Sequence, residues 1–242
     1  MDRDLTKYAI IVAGGKGVRM GGETPKQFLP LGGKPVLMRT MERFVDAEPT
    51  VRIFLVSPED QMEAWQRLCV RHKFHIQHTV VEGGATRFHS VKNGVRAIEE
   101  INKLQPSERA IVAIHDGVRP FVSADVIRRC FDVADLTGSA VPVIPVHETL
   151  RQIKQKSDGA DANYSKTVDR NRFRLVQTPQ TFRLSLLSEA FQQMYEKKFT
   201  DDAAVVEAIG EDVSLIEGNR ENIKLTTPFD LLVAEALLQN DC

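Results

Sequence analysis

Short runs of β-branched residues alternate with amphipathic stretches along most of this chain, and few folds accept such a pattern. Tyr8-Ala9-Ile10-Ile11-Val12 opens the series and runs into a glycine-rich loop. A stripe of Leu37, Met41, Phe44 and Val45 predicts a helix from about Val36. Residues 51–56 read as the next strand, and Ser57-Pro58 ends it and starts a helix to about His72, since proline suits a first helical turn. A strand near 77–81 stops at Gly83-Gly84, and the helix that follows from about Thr86 has Phe88, Val91, Val95 and Ile98 on its buried stripe. Ile111-Val112-Ala113-Ile114 is continuously apolar, as expected of a strand covered on both faces. Ser123 suits the N-cap of a helix to Asp135. Residues 141–146 read as a further strand, with Pro142 and Pro145 placing part of it at an edge or bulge.

The alternation breaks over 147–175, a polar segment with scattered β-formers such as Ile153 and Tyr164 around a Ser157-Asp158-Gly159 turn signal. It is too long for a simple connection and reads as a β-hairpin arm leaving the body. Helical patterns resume from about Leu184 and Asp201, followed by a strand over 213–216 and a last helix from Pro228. The expected fold is α/β: one doubly wound, mostly parallel sheet with right-handed crossovers and a protruding hairpin arm, a single domain over residues 1–242. Ligands of such sheets bind beyond the carboxyl ends of the strands, which singles out the loops after Val12, Val81, Ile114, Val146 and Ile216.

A formal net charge of −1 supplies no global field toward nucleic acid or an anionic membrane, so any anion must be held by local clusters. The amino-terminal Met1-Asp2-Arg3-Asp4 lacks a signal peptide's apolar core, and no apolar run approaches bilayer length. Cys69, Cys130 and Cys242 fit neither a disulfide framework nor a zinc pattern. The expectation is a cytoplasmic protein. His72, His75 and His78 recur every third residue but straddle a helix-to-strand junction, and they are read as no metal site.

The loop after the first strand carries most of the chemical information. Residues 13–27 read Ala-Gly-Gly-Lys-Gly-Val-Arg-Met-Gly-Gly-Glu-Thr-Pro-Lys-Gln, and glycines let a backbone approach a phosphate chain and turn N–H groups toward it. It is not a P-loop, because Lys16 precedes Gly17 and the spacing to a Ser or Thr is absent. A dinucleotide fingerprint fails too, with Met20 where the third glycine belongs. What remains is a glycine-rich turn with two cations, Arg19 and Lys26, for which the plainer reading is a solvated loop. Asp116 ends the buried strand, where a carboxylate is costly unless it meets a cation, a metal or ligand hydroxyls; the plainer alternative is a helix cap, a frequent use of an aspartate at a strand end.

These segments, with His115-Asp116-Gly117-Val118-Arg119-Pro120, Thr167-Val168-Asp169-Arg170, Gln177-Thr178-Pro179-Gln180 and Asn222-Ile223-Lys224, follow in order over nearly the whole chain. Together they resemble the Rossmann-like nucleoside-triphosphate transferase fold, in particular the 2-C-methyl-D-erythritol 4-phosphate cytidylyltransferase family of the non-mevalonate isoprenoid pathway. The resemblance implies that CMP passes from CTP to a polyol phosphate with release of pyrophosphate, and that Mg²⁺ assists. It implies Arg19, Lys26, Arg170 and Lys224 as the catalytic cations. It places the nucleotide against Ala13, Gly14, Gly15, Lys16, Gly17, Gly84, Ala85, Arg87, Ser90 and Asp116, with Ala85 standing where some relatives carry an acid. Asp116, Arg119, Thr149, Arg170, Thr178 and Lys224 face the acceptor, and Asp116 is the metal candidate, mainly through nucleotide phosphates. The arm reaches a second subunit in that family, so a homodimer is expected, with no nucleic-acid or membrane partner. The alternatives are a transferase for another polyol phosphate, such as ribitol 5-phosphate, a relative using another base, and a non-catalytic nucleotide-binding module.

Overall fold

The computed structural model describes residues 5–14, 24–104, 109–155 and 161–240. Its first half follows the alternation closely. β1 (Leu5–Val12) leads, past the glycine-rich loop, to a short hairpin of β2 (Pro30–Leu31) and β3 (Lys34–Pro35). Then come α1 (Val36–Ala47), β4 (Arg52–Ser57), α2 (Glu59–Arg71), β5 (His78–Glu82), α3 (Arg87–Leu104) and β6 (Arg109–Asp116). α4 (Ala124–Thr137) starts where expected, with Ser123 Oγ accepting from the Val126 N–H at 3.2 Å. β7 (Ser139–Pro145) follows, then the hairpin β8 (Arg151–Gln155) and β9 (Asp161–Thr167), and the short β10 (Arg174–Val176) and β11 (Gln180–Arg183). α5 (Leu184–Ala190), α6 (Asp202–Glu207), β12 (Leu215–Glu217) and α7 (Pro228–Asn240) complete the chain.

The eight-stranded sheet has the order β10-β7-β11-β6-β1-β4-β5, with β12 paired to β7. β1, β4, β5 and β6 run parallel, and β10 and β11 run against their neighbours, so the sheet is mostly parallel and mixed. Strand pleating sends alternate residues to opposite faces. Tyr8 and Ile10 pack with Phe88, Val91 and Val95 of α3 and with α5 and α6. Ala9 and Ile11 pack on the other face with α1, α2 and α4. Ile10, Ile11 and Ile114 are each 0% exposed, so the continuous apolar run at 111–114 is explained by cover on both sides. α7 closes a third cluster with Leu31, Val118 and Leu225 beside the end of β6. Among the described residues, no helix is long and apolar enough to cross a membrane.

β7 pairs with β10 and β11 along one side and, over 141–143, with β12 along the other, so Ile144 and Pro145 have a partner on one side only, and part of the strand lies at an edge as expected. Pro142 is tolerated because the antiparallel partner is interrupted between Val176 and Thr181, opposite it, and Pro145 lies past the last residue that β12 pairs. β11 was not anticipated as a strand, yet it lies between β6 and β7. The hairpin arm is present, as β8 paired with β9, and the chain rejoins the main sheet at β10, beside the expected end at about 175. The turn signal at 157–159 lies outside the described residues.

Candidate active site

Asp116 ends β6 and is 7% exposed, and three cations surround its carboxylate. Lys224 Nζ lies 3.0 Å from Oδ2, Arg119 Nε 3.2 Å from Oδ2, and Arg87 Nε 3.7 Å from Oδ1. Burial pushes this carboxyl up, but the charges of Lys224, Arg87 and Arg119 outweigh it and hold the group well below the usual carboxylate range. Asp116 is therefore ionised at any pH where the protein works. Arg87 also bridges Asp202 with both prongs, Nη1 to Oδ1 at 2.7 Å and Nη2 to Oδ2 at 2.6 Å. Burial disfavours its charge, and Asp202 and Asp116 together reverse that, so the guanidinium stays protonated.

A hydrogen-bond frame fixes these groups from behind. The Asp116 N–H donates to Thr178 Oγ1 at 3.1 Å, and Thr178 Oγ1 sits 2.9 Å from His115 Nδ1. His115 Nε2 faces the carbonyl of Arg119 at 3.1 Å, which can only accept. The tautomer follows from these partners: Nε2 carries the proton, and Nδ1 accepts from the Thr178 hydroxyl. Burial lowers the His115 pKa to about 4, so the ring is neutral. Arg119 Nη1 donates to the Asn222 carbonyl at 2.7 Å, and Asn222 Nδ2 donates to the Thr178 carbonyl at 2.8 Å. The strand end, the Gln177-Thr178 segment and the turn before Lys224 are thus one unit. Thr178 supplies its hydroxyl to this frame.

The glycine-rich loop's described flanks are stapled together. Ala13 N–H donates to the Val56 carbonyl at 2.8 Å, and the Ala13 carbonyl accepts from Gln27 Nε2 at 2.8 Å. Gln27 is 0% exposed and also donates to Gln61 Oε1 at 2.6 Å. Gly14 is exposed beyond this staple, and Lys26 lies partly buried in a single 3₁₀ turn, followed by Phe28 stacked on Trp65. Gly15, Lys16, Gly17 and Arg19 lie outside the described residues.

Beside β5, the Gly84 N–H donates to Ser90 Oγ at 3.0 Å, and that hydroxyl donates to the Thr86 carbonyl at 3.0 Å. A Cβ at Gly84 would meet His89 Cβ at 2.4 Å, so only glycine lets the chain turn this tightly into α3. Gly84 and Ala85 stay exposed, and Thr86 also caps α3 through the His89 N–H at 3.4 Å. Thr149 and Arg170 are exposed at the root of the arm, where Arg170 Nη1 donates to the His147 carbonyl. Among the described residues, no hydrogen bond or ion pair links either to Asp116. His78 accepts from Trp65 Nε1 at 3.0 Å and lies 2.8 Å from the Ile76 carbonyl, so both ring nitrogens serve the core.

The sequence reading did not assign roles to Gln27, His115, Asn222 or Asp202. Gln27, His115 and Asn222 fall inside quoted motifs, which was the available signal; Asp202 acts only through a partner distant in the chain.

Arg87, Arg119 and Lys224 converge on Asp116, and Lys224, with its side chain 40% accessible, is open to a further anionic partner. Positive groups gathered at the carboxyl end of such a sheet, next to a glycine-rich turn, can hold a triphosphate and the charge that develops as it is cleaved. The molecule thereby falls among the nucleotidyltransferases. Comparison with known proteins narrows the class: the profile of the 2-C-methyl-D-erythritol 4-phosphate cytidylyltransferase (IspD) family matches residues 8–240, and the chain belongs to that family. Proteins of that name from Bacteroides fragilis and Phocaeicola vulgatus are 53% and 51% identical over 234 residues, 97% of this chain and 100% of each relative. The crystal structure of the Thermus thermophilus enzyme of that name superposes with a TM-score of 0.73 at 32% identity, covering 98% of this chain and 100% of that one. The 4-diphosphocytidyl-2C-methyl-D-erythritol synthase of Anaerococcus prevotii gives 0.76 at 26% identity, covering 97% and 96%.

Proposed function

We propose that this chain transfers CMP from CTP to 2-C-methyl-D-erythritol 4-phosphate, giving 4-diphosphocytidyl-2-C-methyl-D-erythritol and pyrophosphate. The observation that carries this reading is the cluster of Lys224, Arg119 and Arg87 around ionised Asp116 in a chain of this family. An oxygen of the acceptor phosphate forms a bond to the α-phosphorus of CTP, while the bond from that phosphorus to the bridging oxygen breaks and pyrophosphate leaves. The attacking phosphate is already ionised at neutral pH, so no general base is needed. Catalysis then rests on fixed positive charge that meets the growing negative charge on the α-phosphate and the leaving group.

In this reading Arg19 and Lys26 grip the triphosphate from the loop after β1, with Gly15, Lys16 and Gly17 offering backbone N–H groups. Ala13, Gly14, Gly84, Ala85 and Ser90 line the cytosine side. Lys224 and Arg119 turn from Asp116 toward the acceptor phosphate, with Thr149 and Arg170 at the arm completing the acceptor side. The single carboxylate of Asp116 already faces three cations, which suits a Mg²⁺ carried chiefly by the nucleotide phosphates and its own waters. When bound, that ion neutralises phosphate charge. A homodimer that pairs the arms and a cytoplasmic location complete the proposal.

The test is pyrophosphate release from CTP and Mg²⁺ with a panel of polyol phosphates. Release with 2-C-methyl-D-erythritol 4-phosphate well above that with ribitol 5-phosphate supports the assignment. The reverse preference assigns another acceptor, and no release with any acceptor refutes transfer.

A further inference from the structure

Asp202 is among the most deeply buried charged groups in the protein, at 1% exposure, and nothing in the transfer chemistry above uses it. It opens α6, and the chain there is tied to the sheet by side chains on either side. Asp201 Oδ1 caps the helix by accepting from the Ala204 N–H at 2.9 Å, and Asp201 Oδ2 accepts from Gln180 Nε2 at 2.9 Å. Gln180 Oε1 in turn accepts from the Ala203 N–H at 2.8 Å. Gln180 belongs to β11, which is hydrogen-bonded to β6, so the Asp202 carboxylate is held at a set height beside the end of that strand.

A guanidinium is a planar fork whose five donors leave two usable edges. Asp202 occupies one edge of Arg87 with a two-pronged bridge, and the remaining Nε edge faces Asp116 Oδ1 at 3.7 Å, beyond direct hydrogen-bond contact. Without Asp202, both prongs of Arg87 become free to collapse onto Asp116. Oδ1 would then be tied up as Oδ2 already is by Lys224 and Arg119, and lost to substrate hydroxyls or a metal.

We propose that Asp202 is a positioning residue for CMP transfer: it anchors the fork of Arg87 so that the guanidinium balances the charge of Asp116 without closing on it. The proposal rests on the transferase reading above. It makes α6, a segment far from the glycine-rich loop in sequence, a determinant of the reacting geometry.

The experiment is a double-mutant cycle on the full-length protein. Parent, Asp202→Asn, Arg87→Gln and the paired variant are assayed for kcat, for the KM of CTP and of the acceptor separately, and for Tm. Positioning through Arg87 predicts that Asp202→Asn lowers kcat by about ten- to a hundred-fold. It also predicts that the paired variant is no slower than Arg87→Gln alone, because the two residues act as one. Asp202→Glu keeps the charge on a longer stem and has a kcat between those of the parent and Asp202→Asn. A kcat of Asp202→Asn within about twofold of the parent, or single losses that multiply in the paired variant, would overturn the proposal. Should Asp202→Asn fail to fold, Asp202→Glu decides. Reduced kcat with CTP affinity retained in calorimetry supports positioning, and an unchanged kcat rejects it. A parent that releases no pyrophosphate removes the transferase reading itself, a different failure from a parent that is active and insensitive at 202.

Discussion

At the scale of single residues, Asp116 is a carboxylate kept ionised by three cations, which the proposed transfer has substrates recruit. Lys224 is the most exposed of these and the one with least to lose by turning outward, its side chain being 40% accessible. Lys224→Ala is expected to raise the acceptor KM and to lower turnover by about 10²–10³-fold, the size seen when one fixed donor to a developing charge is removed. Calorimetry with CTP alone should show little change in affinity, and a large loss there would move Lys224 to the nucleotide side. His115 gives a prediction of another kind. Burial lowers its pKa to about 4, whereas an unfolded imidazole titrates near about 6.5. The unfolded chain therefore takes up a proton that the folded chain refuses. The stabilisation is complete above the unfolded value and is lost as pH falls toward 4, by up to about 3 kcal/mol. Thermal unfolding from pH 7.5 to 4.5 should show a Tm decline that is shallower in His115→Gln, and parallel declines would contradict it. Asp116 was legible because a carboxylate at the tip of an apolar strand demands a partner. The anchors behind it were not, since His115 reaches Thr178 across 63 positions and Arg87 reaches Asp202 across 115.

At the scale of elements, the long strands and helices up to α4 could be read from periodicity because each is covered in a regular way, whereas the two-residue strands β2 and β3 are too short to carry a pattern. β11 could not. Its four residues follow a proline, and what makes them an interior strand is pairing with β6 and β7, which no local pattern encodes. The same limit hid the short strand β10, where the arm rejoins the sheet. In the proposed transfer α3 matters most, because its first turn holds Arg87 beside Asp116 and Ser90 against Gly84. Its distance from the sheet is set at Gly94, where a Cβ would lie 3.1 Å from Ile10 Cδ1 and 3.2 Å from Val56 Cγ2. Gly94→Val is therefore expected to overpack this contact and cost about 1–3 kcal/mol in chemical denaturation. Unchanged stability would show that the sheet side chains yield freely there.

For the whole molecule, the topology collects residues from distant parts of the chain at the carboxyl end of the central strands: Ala13 after β1, Ser90 in α3, Asp116 on β6 and Lys224 before α7. The proposed homodimer belongs to this scale. Ile153 and Tyr164 of the arm are 54% and 73% exposed, apolar surface that a second copy would cover. Replacing both by Glu should give a monomer in sedimentation and a higher acceptor KM, and an unchanged sedimentation coefficient would reject the arm as the contact. The central claim is that fixed cations carry out the transfer. Its most direct measurement is pyrophosphate release under single-turnover conditions with CTP, Mg²⁺ and 2-C-methyl-D-erythritol 4-phosphate, comparing the parent with Lys26→Ala. The cation mechanism predicts release about 10²–10³-fold slower in the variant, equivalent to ~2.7–4 kcal/mol of lost transition-state stabilisation. Equal rates in the two proteins would contradict it.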